Sequence, residues 1–140
     1  MEKSFFLVLM VIISKLAFAQ PISSVGVFPE PAFPSDILTV GVAGDLWATN
    51  HIVENTNFSQ TDNILTLDMY WGIEGFGMPV VLPYTYWEPI GVFSSGDYIL
   101  NVNSYFWGNY DFGTTSFTVI PEPTTLLLLG LGAVMVRRKR

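Results

Sequence analysis

The 140-residue chain has no cysteine. A disulfide framework and a thiolate metal site are therefore excluded, and the fold must stand on packing. Cations are missing from most of its length. The six basic residues, Lys3, Lys15, Arg137, Arg138, Lys139 and Arg140, all lie near the ends, so residues 20–136 hold neither Lys nor Arg. The same stretch carries every acidic residue except Glu2. Nucleic-acid binding needs Lys or Arg to displace counterions from phosphate, which excludes that partner. The same lack argues against anionic lipid headgroups and phosphorylated metabolites. His51 is the single histidine and no G-x-S-x-G pattern occurs, so no nucleophilic triad is legible. One His and no Cys are too few for an ordinary zinc site.

What is present begins with the two ends. Met1-Glu2-Lys3 is a short charged start, followed by the apolar run centred on Phe5–Ile13 and then Ala17-Phe18-Ala19 before Gln20. Charged start, apolar stretch and small-x-small site are the order of a secretory signal peptide, with cleavage between Ala19 and Gln20. Residues 1–19 are read as that peptide and signal peptidase as its processing enzyme. Lys15 leaves the run short for a span of about 20 residues.

At the other end, Pro121-Glu122-Pro123 is followed by an apolar run over 124–136 and the cluster Arg137-Arg138-Lys139-Arg140. The ordered triple resembles the PEP-CTERM sorting signal of exported bacterial proteins. The resemblance implies recognition by an exosortase, a membrane protease acting near Pro-Glu-Pro, in a setting of exopolysaccharide production. It also implies export, a transient inner-membrane anchor, and delivery to the cell surface or extracellular matrix. Elementary physics agrees with a temporary anchor. The apolar run, if helical, reaches about 20 Å against a hydrocarbon core of roughly 30 Å, and the basic cluster beyond it would stay cytoplasmic. Pro29-Glu30-Pro31 repeats the tripeptide without the run or the cluster, and reads as a stiff loop.

Residues 20–120 form the domain between. Alternating apolar positions mark Ile37–Ala43, Ile64–Trp71, Asp97–Phe106 and Ser116–Ile120 as half-buried strands, with weaker strands at Ser23–Phe28, Ala48–Glu54 and Val80–Phe93. The expected fold class is all-β, a β-sandwich flanked by the signal peptide and a short transmembrane sorting helix. The domain more distantly resembles bacterial immunoglobulin-like domains. The residues that carry this are Pro31–Asp36 before Ile37-Leu38-Thr39-Val40, and Gly96-Asp97-Tyr98, which is similar to that fold's tyrosine corner. Another β-sandwich or a jelly roll is the alternative.

Asn101, Asn103 and Tyr105 alternate onto one face and form a candidate glycan-binding patch, since flat aromatics stack on sugar rings beside hydrogen-bonding amides. The scattered carboxylates include Asp36, Asp45, Asp68, Glu88, Asp97 and Asp111. Calcium is the cation they could hold, by its preference for oxygen ligands, although no EF-hand pattern occurs; no metal ligand set is assigned. The leading functional reading is an exported, non-enzymatic surface or matrix protein. A carbohydrate-binding module acting on exopolysaccharide is the alternative. A small glycan hydrolase is a minor third, since that chemistry needs only a convergent carboxyl pair.

Overall fold

The computed structural model describes residues 22–122. The expected signal peptide, its cleavage site, the apolar run over 124–136 and the basic cluster lie outside the described residues. Within them the chain forms seven strands and no helix: β1 (Ile22–Phe28), β2 (Leu38–Leu46), β3 (His51–Thr61), β4 (Ile64–Ile73), β5 (Leu82–Gly91), β6 (Gly96–Phe106) and β7 (Asn109–Val119). They make two sheets, one ordered β1-β2-β5 and one ordered β3-β4-β6-β7.

The two inner faces build the core. Leu38, Val40 and Val42 of β2 are fully buried, as are Leu65, Leu67 and Met69 of β4 and Leu100 and Val102 of β6. Each such side chain contributes roughly 1.5–3 kcal/mol by leaving water. Phe93, just before β6, packs near-perpendicular to Tyr98 at 5.5 Å and to Phe117 at 6.4 Å, and Tyr98 stacks on Phe117 at 5.3 Å. This aromatic group closes the end of the domain from which the C-terminus leaves. At the other end Trp71 meets Tyr84 at 5.0 Å and 76°.

Every expected strand exists; five keep their ends to within three residues, and two, β3 and β7, extend well beyond them. β7 starts at Asn109 rather than Ser116, because its first half is held by an antiparallel ladder from Phe106↔Asn109 to Gly96↔Val119. β3 runs on to Thr61 instead of ending at Glu54, paired along its length with β4 across a register shift between Val53 and Asn55. Both are outer strands with polar residues on several of their half-buried inward positions, such as Asn109, Asp111 and Thr115 of β7 and Thr56 of β3.

The Tyr98 hydroxyl donates to the Ser94 carbonyl at 2.9 Å, the contact a tyrosine corner makes. One pairing departs from the antiparallel sheets of immunoglobulin domains: β4 lies between β3 and β6 and runs parallel to β6. The cause is connectivity. β5 crosses to the other sheet, so β6 re-enters in the direction of β4 and pairs with it from Ile64↔Ile99 to Tyr70↔Tyr105.

Candidate functional site

The second Pro-Glu-Pro segment follows β7 after a single residue, Ile120. Val119 is buried at the end of β7. It bridges Ala32 in parallel, and the Ile120 amide donates to the Ala32 carbonyl at 2.9 Å. Ala32 is itself buried and follows the first Pro-Glu-Pro. Its loop is braced by Asp36, whose carboxylate accepts from the Phe33 amide at 2.8 Å. Immediately after this anchor the chain becomes exposed, with Pro121 and Glu122 in solvent. The repeated tripeptide at 29–31 borders a hollow of about 400 Å³ whose other wall includes Thr118 and Ile120.

The candidate patch Asn101, Asn103 and Tyr105 lies on the outer face of the four-stranded sheet. The structure brings these residues to one face and adds companions from both neighbouring strands. Tyr70 of β4 stacks on Tyr105 at 5.1 Å and 15°. Tyr110 of β7 lies 5.4 Å from Tyr105 at 40°, and Phe112 lies 6.1 Å from Tyr110 at 14°. A polar lattice runs beside the rings. Asn103 Nδ2 donates to Asp68 Oδ1 at 2.7 Å, and the Tyr110 hydroxyl donates to Asn103 Oδ1 at 3.0 Å. Thr114 Oγ1 lies 3.1 Å from both Asn101 Oδ1 and the Leu100 carbonyl, which share its one proton. Partial burial raises the Tyr105 phenol above its ordinary value, with the Asp68 carboxylate adding to it. Asp68, Tyr110 and Phe112 escaped the reading of β6 alone. Alternation within one strand shows which residues share its face but not which residues of the next strand stand opposite.

Two other features are aromatic. On the outer face of the three-stranded sheet a Cβ at Gly41 would fall 2.7 Å from Trp87 Cζ3 and 3.1 Å from Cε3 and Cη2. The indole therefore lies face-down on that glycine, with Phe28 near-perpendicular to it at 5.3 Å. At the end of the domain away from the tail, an apolar hollow of about 550 Å³ lies among Trp47, Ile73, Val80, Phe106 and Trp107. His51 lines it, 4.6 Å from Phe106, and burial lowers its imidazole below the ordinary value. Among the described residues no three His, Asp or Glu side chains gather as a metal-holding group.

Comparison with known proteins places one part of the chain. No curated protein and no solved structure matches it. Residues 119–140 match the family model of the PEP-CTERM protein-sorting motif, beginning at the last residue of β7. The chain thus carries a PEP-CTERM protein-sorting motif at residues 119–140, with an all-β domain of two sheets ahead of it.

Proposed function

We propose that this is an exported, non-catalytic protein of the cell surface or extracellular matrix. In this reading, signal peptidase cuts after Ala19, the PEP-CTERM tail holds the chain briefly in the inner membrane, and an exosortase releases it near Pro121-Glu122-Pro123. The observation that carries the reading is the motif match at 119–140, continuous with the anchored end of β7. The scaffold reading is a rearranged immunoglobulin-like sandwich. It is supported by the three-plus-four division of strands and the Tyr98–Ser94 contact, with β4 and β6 as the rearranged pair.

The motif's parts have separable tasks. The apolar run is marginal for spanning, so Arg137, Arg138, Lys139 and Arg140 hold it on the cytoplasmic side. Pro121 and Pro123 lack amide donors and keep the segment out of β and helical ladders, where a protease can reach it. The test follows precursor and product by fractionation and intact mass, in a host with its exosortase and in one without. Replacing Pro121, Glu122 and Pro123 with Ala leaves uncut precursor in the inner membrane. Replacing the four basic residues with Ser lets uncut precursor escape it. A tail that is never removed in the competent host, or is removed equally well without the exosortase, sinks the reading and leaves a plain tail anchor.

A further inference from the structure

The outer face of the four-stranded sheet has the composition of a recognition surface rather than of a solvated wall. Tyr70, Tyr110 and Phe112 are 41%, 56% and 60% exposed, although side chains of this size ordinarily go to the core. Contiguous exposed apolar surface rimmed by polar groups marks interaction sites. Register makes the surface continuous. Tyr70 stands opposite Tyr105, and Tyr105 opposite Tyr110, so a row of phenols crosses three strands, about 10 Å from first to last at ordinary strand spacing. The next rows carry Asp68, Asn103 and Phe112, and then Asn101 and Thr114, also in register.

Cross-strand packing accounts for the Tyr70–Tyr105 stack. It does not account for Phe112, which projects from β7 beside a lattice of amides and one carboxylate. That lattice is already ordered: Asn103 holds Asp68 and Tyr110, and Thr114 holds Asn101. Each amide still has an unused N–H in these contacts, since an Asn nitrogen carries two. A ligand meeting fixed donors and fixed rings loses little further entropy in ordering them.

The chemistry on offer is the exposed apolar surface of aromatic rings, amide donors and acceptors, and a carboxylate, with no cation. A sugar ring matches it, having one face of C–H groups and a rim of hydroxyls. Charge narrows the class. Residues 20–136 contain no Lys or Arg, and Asp68 stands within the face. Uronate, sulfate or phosphate groups would meet only negative charge, whereas a neutral sugar meets no penalty and a sugar ammonium meets Asp68. The geometry points to this face as a binding site for a polysaccharide that bears no acidic groups. The inference concerns the sandwich and stands apart from the sorting reading.

The test is calorimetric titration of the exported protein with three soluble oligosaccharide series: cello-oligosaccharides as neutral probes, chitosan oligomers as amine-bearing probes, and alginate oligomers as acidic ones. The neutral or the amine-bearing series binds and alginate does not. Tyr110→Ala and Phe112→Ala each weaken binding about tenfold, the scale of one aromatic contact. Trp87→Ala, on the opposite sheet, leaves affinity unchanged. Thermal melts of every variant report the fold. If either truncation fails to fold, Asn101→Ala takes its place and weakens binding several-fold. The proposal is overturned if none of the three series binds, or if alginate binds as well as the others. It is equally overturned if the folded β7 variants, or Asn101→Ala in their place, bind like the parent, or if Trp87→Ala is the change that abolishes binding.

Discussion

Tyr84 turns its ring into the space between the sheets and leaves its hydroxyl in an awkward position. The hydroxyl is buried and has no hydrogen-bond partner among the described residues. Burial raises the phenol well above its ordinary value of 10.0, and the carboxylates of Asp111 and Asp45 push it the same way. An unpaired buried polar group is destabilising, and its removal without loss of shape is neutral or favourable. Tyr84→Phe is therefore expected to stabilise the domain by about 1 kcal/mol, or about 4–8 °C in melting temperature for a domain of this size. The pH dependence has a definite sign. The folded state favours the neutral phenol, so the parent loses stability as pH rises above 10.0, and Tyr84→Phe removes that share of the loss. A lower melting temperature in the variant would show that solvent or the chain before Ile22 bonds the hydroxyl. At this scale the sequence is uneven in what it discloses. Asn101, Asn103 and Tyr105 are legible as one face because they alternate along a single strand. Tyr84 is not legible as a buried, unpaired group, because its surroundings come from β4 and β7.

Strands differ in how plainly the sequence announces them, and the difference follows their place in the sheets. Leu38–Val42, Leu65–Trp71 and Tyr98–Val102 alternate most clearly, and they lie in β2, β4 and β6. β2 is the middle of its sheet and β4 and β6 are the inner pair of theirs. A central strand buries all its inward positions, whereas an outer strand covers the rim and tolerates polar residues there. That is why alternation alone predicts β3 and β7 shorter than they are. The parallel pairing of β4 with β6 was not legible at all, since a strand's own pattern does not say which sheet the intervening strand joins. Closure between the sheets depends on a position with no side chain. A Cβ at Gly113 would fall 2.7 Å from Val25 Cγ2 and 2.9 Å from Ile22 Cγ2. The Ile22 amide donates to Asp111 Oδ2 at 2.7 Å across the same seam. Gly113→Val should force β1 away from β7 at about 1–3 kcal/mol, the range for overpacking. Urea unfolding gives the loss, and hydrogen exchange should localise it as faster exchange in β1 than in β4 or β6. Intrinsic strand preference alone would favour Val, so a stabilised variant would show that the seam yields easily.

For the molecule as a whole, one-sided charge is the property most fully legible in the sequence, and it has a thermodynamic consequence. Residues 20–136 carry all the acidic residues but Glu2 and neither Lys nor Arg. The carboxylates spread over both sheets and their loops, from Glu30 and Asp36 before β2 to Asp97 in β6 and Asp111 in β7. Apart from His51, no side chain among them can become a cation, so their mutual repulsion is uncompensated. Such self-repulsion opposes the compact state, and unfolding relieves it by moving the charges apart. Salt screens it: the Debye length falls from about 30 Å at 0.01 M to about 10 Å at 0.1 M ionic strength. The melting temperature at pH 7 should therefore rise by a few degrees over that interval, opposite to a domain held by surface ion pairs. The same measurement separates screening from specific cation binding. Calcium was the cation expected to suit these carboxylates, yet among the described residues they do not gather in threes. Calcium chloride and sodium chloride at matched ionic strength should then stabilise the domain about equally. A specific site would add its own term, growing with the logarithm of calcium concentration once the site is saturated. Equal curves identify diffuse repulsion as the quantity that salt relieves. A calcium curve that climbs above the sodium curve at matched ionic strength would identify a calcium site built by fewer carboxylates with backbone oxygens. A melting temperature that falls with salt would show that mutual repulsion among the carboxylates is not the dominant electrostatic effect on stability.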